Sequence, residues 1–162
     1  MFKKVIKNVV KVSLAMLSTL LLFLFFSSES ITFSVPNSIL EFSKFMEAQK
    51  TFEIVLTDDS KGYDQHSDYE IYERDFSVNS DVVALCIKKY DTIEKAQEAY
   101  NILNHKNLIK MTFDIDGNSY IRFKIGEVNY CAWRNGKTVV VMKSTNKESL
   151  QMLKNYIVKQ IM

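Results

Sequence analysis

The rhythm of polar and apolar positions changes several times along this chain, and each rhythm predicts an element. From Val12 to Phe26, fifteen residues pass without a charge and end in Leu20-Leu21-Leu22-Phe23-Leu24-Phe25-Phe26. Further on, Ile39, Phe42 and Met46 recur at spacings of three and four, which puts them on one face of a helix. Ser38 with Glu41 three residues later forms a capping box to start it, just after Pro36, and the pattern runs to about Lys50. Phe52 to Leu56 reads as a short strand, and Asp58 to Asp68 as a polar loop.

Two strands follow, Tyr69 to Phe76 and Asp81 to Tyr90, joined through Val78-Asn79-Ser80. The second contains Val82-Val83-Ala84-Leu85-Cys86-Ile87, apolar on both faces, which places it centrally in a sheet. Asp91 with Glu94 is another capping box, and Ile93, Ala96, Tyr100 and Leu103 give the helix behind it an apolar face. Two hairpins come next. Ile109–Ile115 and Ser119–Ile125 meet at Asp116-Gly117, and Val128–Arg134 and Lys137–Lys143 meet at Asn135-Gly136. Both dipeptides suit type I′ turns, whose two central residues take positive φ. Thr145 with Glu148 opens a last helix, with Leu150, Leu153, Ile157 and Ile161 on one face.

These elements predict an α+β fold: a mostly antiparallel sheet with about three helices packed on one face, preceded by an N-terminal signal or anchor helix. The chain divides into residues 1–30, a signal peptide or membrane anchor, and residues 31–162, a single exported α+β domain. Lys3, Lys4, Lys7 and Lys11 precede the first apolar run, and no acidic residue occurs before Glu29. Lysine is retained on the cytoplasmic side, so the expected orientation is N-terminus inside and domain outside. Cleavage and retention both have support. Ser28 and Ser30 supply the small residues a signal peptidase needs, whereas extending the run back to Val5 gives a span, with Lys7 and Lys11 reaching the interface. The protein is then secreted, or attached to the membrane through the N-terminal helix. A lipid anchor is excluded, because Phe26-Ser27-Ser28-Glu29 lacks the cysteine it requires.

Charge changes meaning once that leader is set aside. The chain of 162 residues carries a formal +2, but four of its 21 Lys and Arg and one of its 19 Asp and Glu lie in the first 30 residues. The remainder holds 17 against 18, a net charge of −1 that lacks the electrostatic footprint of a nucleic-acid binder. Four glycines leave no room for a phosphate-cradling loop or a dinucleotide fingerprint, and no Gly-x-Ser-x-Gly elbow occurs.

Candidate chemistry is correspondingly thin. Asp58, Asp59, Asp64, His66 and Asp68 gather in one loop, but without the register of a calcium loop. The sequence from Asp114 reaches Ile125 at the twelfth position, where that loop needs Glu. His66 and His105 both sit in polar turns. No catalytic residue, cofactor or metal site is therefore expected. Cys86 and Cys131 read either as a disulfide, since an exported domain meets an oxidising environment, or as two separate buried thiols. Tyr69, Tyr72, Phe76, Tyr90, Tyr120, Phe123, Tyr130 and Trp133 fall on predicted strands, where they either fill the core or line a binding face.

The stretches Val82-Val83-Ala84-Leu85, Tyr90 to Tyr100 and Trp133-Arg134-Asn135-Gly136-Lys137-Thr138-Val139-Val140-Val141, after the early helix Phe42 to Phe52, resemble a loose group of small exported proteins and lipoproteins of Gram-positive bacteria. The resemblance spans roughly residues 38 to 162 and implies location and fold, with no activity attached to it. The expected function is non-catalytic binding of a protein, peptide or cell-envelope component. The alternative is a cell-envelope enzyme or enzyme accessory using the acidic loop near Asp64 and His66.

Overall fold

The computed structural model describes residues 31–55, 61–104 and 110–161. The expected signal or anchor segment, Asp58, Asp59 and His105 lie outside the described residues. Residues Thr32–Met162 form one compact unit. In chain order its elements are α1 (Ile39–Ala48), β1 (Glu53–Val55), β2 (Gly62–Gln65), β3 (Tyr69–Val78), β4 (Asp81–Tyr90), α2 (Ile93–Asn104), β5 (Lys110–Ile115), β6 (Asn118–Ile125), β7 (Val128–Asn135), β8 (Thr138–Ser144) and α3 (Lys147–Ile161).

The strands make one sheet in the order β1-β3-β4-β8-β7-β6-β5, with β2 also paired to β3. Every pairing is antiparallel. The expected α+β class and antiparallel sheet with three helices are therefore present. β4 lies inside, between β3 and β8, as its doubly apolar sequence requires.

Side chains alternate along a strand, so register assigns the two faces. On the first face, Tyr72, Phe76, Leu85, Ile87, Val140, Met142, Trp133 and Tyr120 form the larger core. Ile39, Phe42 and Met46 of α1 and Leu150, Leu153 and Ile157 of α3 close over it. These are the faces that helical spacing predicts. Each such side chain contributes roughly 1.5–3 kcal/mol on full burial, so this layer dominates stability.

The helices do not all share that face. α2 lies on the second face, where Ala96 and Tyr100 pack on Ile121, Phe123, Ala132 and Val139. The reason is local: β6, β7 and β8 are apolar at alternate positions on this side too, and leaving those positions in water would forfeit their burial. Ile93, which spacing puts on the α2 face, is 50% exposed at the helix start.

Helix starts differ by one residue from two of the capping boxes. Ser38 caps α1 as expected, its side chain accepting from the Glu41 amide at 3.2 Å. For α2 the cap is Thr92, whose Oγ1 accepts from the Lys95 amide, and for α3 it is Asn146, whose Oδ1 accepts from Glu148 at 2.8 Å. The β7–β8 turn also shifts. Asn135 stays in β7 opposite Thr138, leaving Gly136 (φ +54) and Lys137 as the two turn residues. Buried Arg134 donates to the Gly136 and Gly117 carbonyls, which ties this turn to the β5–β6 turn.

β2 is a strand within the stretch expected to be loop. Its Tyr63, Asp64 and Gln65 are polar or half-buried because it pairs only with β3 at the sheet edge. At its start, Gly62 adopts φ +78 and lies directly over the Arg74 guanidinium.

Candidate functional site

β2 carries part of the acidic stretch to the N-terminal end of β3. There an open cleft of about 280 Å³ is lined by His66, Asp68, Tyr69, Lys89, Tyr90 and Lys137, among others. His66 Nε2 lies 3.3 Å from Asp64 Oδ2, with both side chains well exposed. Its ring stacks obliquely on Tyr69, centroids 4.5 Å apart. Lys95 sits between Asp68 (3.6 Å) and Asp91 (3.1 Å). The Asp91 hydrogen bond with Lys95 holds its carboxyl below the usual range and the ammonium above its own. Asp68 and Asp91 are thus engaged by Lys95, and Asp64 by His66; among the described residues no group of three or more His, Cys, Asp or Glu could hold a metal ion.

The predicted strand aromatics divide between the two faces. Tyr72, Phe76, Tyr120 and Trp133 are covered by α1 and α3. On the second face Phe123 and Tyr130 stack in parallel, centroids 4.8 Å apart, beside α2. Tyr69 and Tyr90, opposite one another on β3 and β4, have centroids 5.9 Å apart. Lys88 Nζ lies 4.9 Å from the Tyr69 centroid, near enough for a cation–π contact. Tyr90 also borders a second, smaller hollow of about 160 Å³, where Leu103 and Ala99 of α2 meet Cys86, Val139 and Val141. The part of this face formed by β3 and β4 therefore presents tyrosines, a half-buried lysine and an apolar hollow around one shared residue.

The two cysteines are free thiols. β8 runs between their strands, pairing Cys86 with Val141 and Cys131 with Met142. Cys86 leaves the sheet on the second face and Cys131 on the first, so neither is within bridging reach of the other. Cys86 Sγ donates to Glu73 at 3.3 Å, and burial, with Glu73 beside it, pushes the thiol up to about 12. A thiol held protonated at neutral pH is a poor nucleophile.

One polar grouping escaped the sequence reading. Lys154 of α3 is fully buried and donates to Tyr120 Oη at 3.0 Å, while Cys131 Sγ donates to the same oxygen at 3.2 Å. Burial lowers the Lys154 pKa and raises those of Tyr120 and Cys131. The signal was there in the spacing: Lys154 stands four residues after Leu150 and three before Ile157, on the apolar stripe itself.

No family model matches the sequence, and no curated protein does. Among solved structures, the chain is similar to a GTP binding regulator from Thermotoga maritima. The TM-score is 0.59 with 16% identity, over 82% of this chain and 96% of that one. At that identity the likeness shows a shared fold. Among the described residues no helix is long and apolar enough to cross a membrane.

Proposed function

We propose that this chain is an exported, non-catalytic binding domain that receives a protein, peptide or cell-envelope component on the open part of its second sheet face. The observation that carries the reading is the position of Tyr90, which borders both the polar cleft and the apolar hollow and faces Tyr69 across the strands. Aromatic rings beside a small apolar hollow that Lys88 also lines offer large contact area with a polar edge. The lysine-flanked apolar leader supports an extracytoplasmic location with the N-terminus inside. The resemblance to small exported Gram-positive proteins supports the same location.

Two experiments test this. N-terminal sequencing of protein recovered from cells distinguishes a secreted form starting near Ile31 from a membrane-attached form starting at Met1. Isothermal titration against envelope fractions and peptides is the second, with GTP included because the Thermotoga maritima protein is described as a GTP binding regulator. Heat on mixing that is lost in Tyr69→Ala supports the reading, and identical heats in both proteins reject the face.

The contact of Asp64 with His66, a residue that lines an open cleft, favours a second reading, an envelope enzyme or its accessory. If that cleft takes a metal, adding calcium or zinc raises the melting temperature, because a ligand bound only by the native state stabilises it. An unchanged melting temperature counts against it.

A further inference from the structure

The two edges of the sheet are finished differently. Along β3 the edge is broken up: β1 and β2, of three and four residues, pair with opposite halves of that strand. Very short edge strands are one way a sheet avoids pairing with another chain. At the other edge β5 runs for six residues, and among the described residues it pairs with β6 alone. Its register with β6 is continuous from Lys110↔Phe123 to Ile115↔Asn118, with no bulge and no proline. The three helices pack chiefly over β3, β4, β7 and β8, so β5 lies at the margin of the layers.

The β5–β6 turn settles which backbone groups this edge presents. Ile115 and Asn118 flank a two-residue turn in which Asp116 and Gly117 both take positive φ, +50 and +74. The pair closing such a turn exchanges both of its N–H···O bonds, and bonded pairs then alternate along the ladder. Ile115, Phe113 and Met111 therefore bond to β6, while Lys110, Thr112 and Asp114 turn their N–H and C=O groups outward. The side chains of these last three are exposed, and those of Met111 and Phe113 are half-buried.

We propose that β5 is a dimerisation edge, pairing antiparallel with β5 of a second copy about a two-fold axis through Thr112. An outward-turned residue must lie opposite another outward-turned residue. The Thr112-centred register is the one that satisfies this for Lys110, Thr112 and Asp114 together. It sets Lys110 opposite the partner's Asp114, and the symmetry repeats that pair. A charge on an edge strand ordinarily deters pairing, but here the two charges are of opposite sign and complement each other in this register. Registers centred on Lys110 or Asp114 would instead set like charges face to face. On the other side of the ribbon, Met111 comes opposite the partner's Phe113, whose ring already packs against Tyr120 with centroids 6.3 Å apart. The backbone ladder and these apolar pairs hold the dimer, and the charges select its register. The proposal goes beyond the binding face at Tyr69 and does not depend on it.

The test uses the full chain in detergent, its protein mass measured by light scattering across a dilution series. The expected result is a dimer in the parent protein. Asp114→Lys, which sets lysines opposite one another, should weaken dimerisation at least ten-fold, and adding Lys110→Asp to it should restore the dimer. That rescue separates lost pairing from lost folding. Thr112→Pro removes an outward N–H while leaving the bonds to β6, and should also give monomer. In the dimer the two Thr112 Cα atoms lie about 5.5 Å apart. Thr112→Cys should therefore be joined to its partner by a methylene-bridged bis-thiosulfonate, whereas Lys159→Cys on α3 should not. A monomer up to the solubility limit, a dimer indifferent to Asp114→Lys and Thr112→Pro, or failure of the charge exchange to restore pairing overturns the proposal. So does equal crosslinking from positions 112 and 159.

Discussion

Gly62 and Gly117 make an internally controlled experiment on how β2, and with it His66, is held to the sheet. Both glycines adopt nearly the same left-handed conformation, φ +78 and +74. A Cβ at Gly117 meets nothing within 4 Å, whereas one at Gly62 falls 2.6 Å from Arg74 Nη2, 2.8 Å from Nη1 and 2.9 Å from Cζ. Alanine at either site costs about 1–2 kcal/mol for the left-handed backbone. A less flexible unfolded chain returns about 0.4–1 kcal/mol of that. Gly117→Ala should therefore cost about 1 kcal/mol. Gly62→Ala adds displacement of the guanidinium, which lies 3.1 Å from Glu47 on α1. With the Glu47 side chain 40% exposed, that ion pair contributes no more than about 1 kcal/mol after solvent screening. Moving a planar guanidinium out of its packed position brings the total to about 2–3 kcal/mol. Urea denaturation measures both, read as midpoints at constant slope. Repeating the Gly62 substitution in an Arg74→Ala background should bring its cost down to that of Gly117→Ala, a coupling of about 1 kcal/mol or more. Equal costs in the parent protein, or no coupling to Arg74, would refute the argument from close approach.

The Tyr72 hydroxyl is buried with no hydrogen-bond partner among the described residues, so Tyr72→Phe should raise stability by about 1 kcal/mol in the same assay; a loss of that size would mean the hydroxyl is satisfied. Trp133 Nε1 donates to the Ser34 carbonyl at 2.7 Å and Asn135 Nδ2 to the Phe33 carbonyl at 2.9 Å. Trp133→Phe should cost about 1–3 kcal/mol and speed amide hydrogen exchange between Thr32 and Val35 well before the rest of the domain. Alkaline pH should destabilise the fold. Cys86 is held protonated to about pH 12 when folded but ionises near its ordinary value of 9.0 when unfolded, so its contribution is complete below pH 9 and lost between pH 9 and 12. Buried Cys131, Tyr100 and Tyr120 shift in the same direction. Lys154 acts oppositely: its folded pKa is lowered, so its unfavourable contribution fades as pH rises towards 10.5. The urea midpoint should fall above pH 9, less steeply in Cys86→Ala, and a midpoint flat to pH 11 would contradict the assignment.

What could be read from sequence was what short-range periodicity encodes. Ile39, Phe42 and Met46, and Leu150, Leu153 and Ile157, lie on buried helix faces because a 3.6-residue period leaves them no other arrangement. β3 to β8 were readable because β-branched and aromatic runs alternate with turn residues. β2 was not, since Tyr63-Asp64-Gln65 at a sheet edge needs no apolar alternation and reads as loop. The turn at Gly136 moved by one residue because only glycine had to take positive φ there, leaving Asn135 in the strand. Which face α2 would cover depended on long-range register, and so did the separation of Cys86 from Cys131. No local pattern carries that information. The candidate site was legible only in part: Tyr69, Tyr90 and His66 stood out as residue types, while their convergence required β2, β3 and β4 to be paired.

The most direct test of the proposed sheet-face function is photo-crosslinking in cells that express the protein. A photoreactive phenylalanine analogue replaces either Lys88, on the open part of the second face, or exposed Lys159 on α3. The account predicts a discrete adduct with a protein or envelope component from position 88, abolished by Tyr69→Ala, and none from position 159. An adduct from position 159 alone, or none from position 88 while the purified domain turns over an envelope substrate, would contradict it.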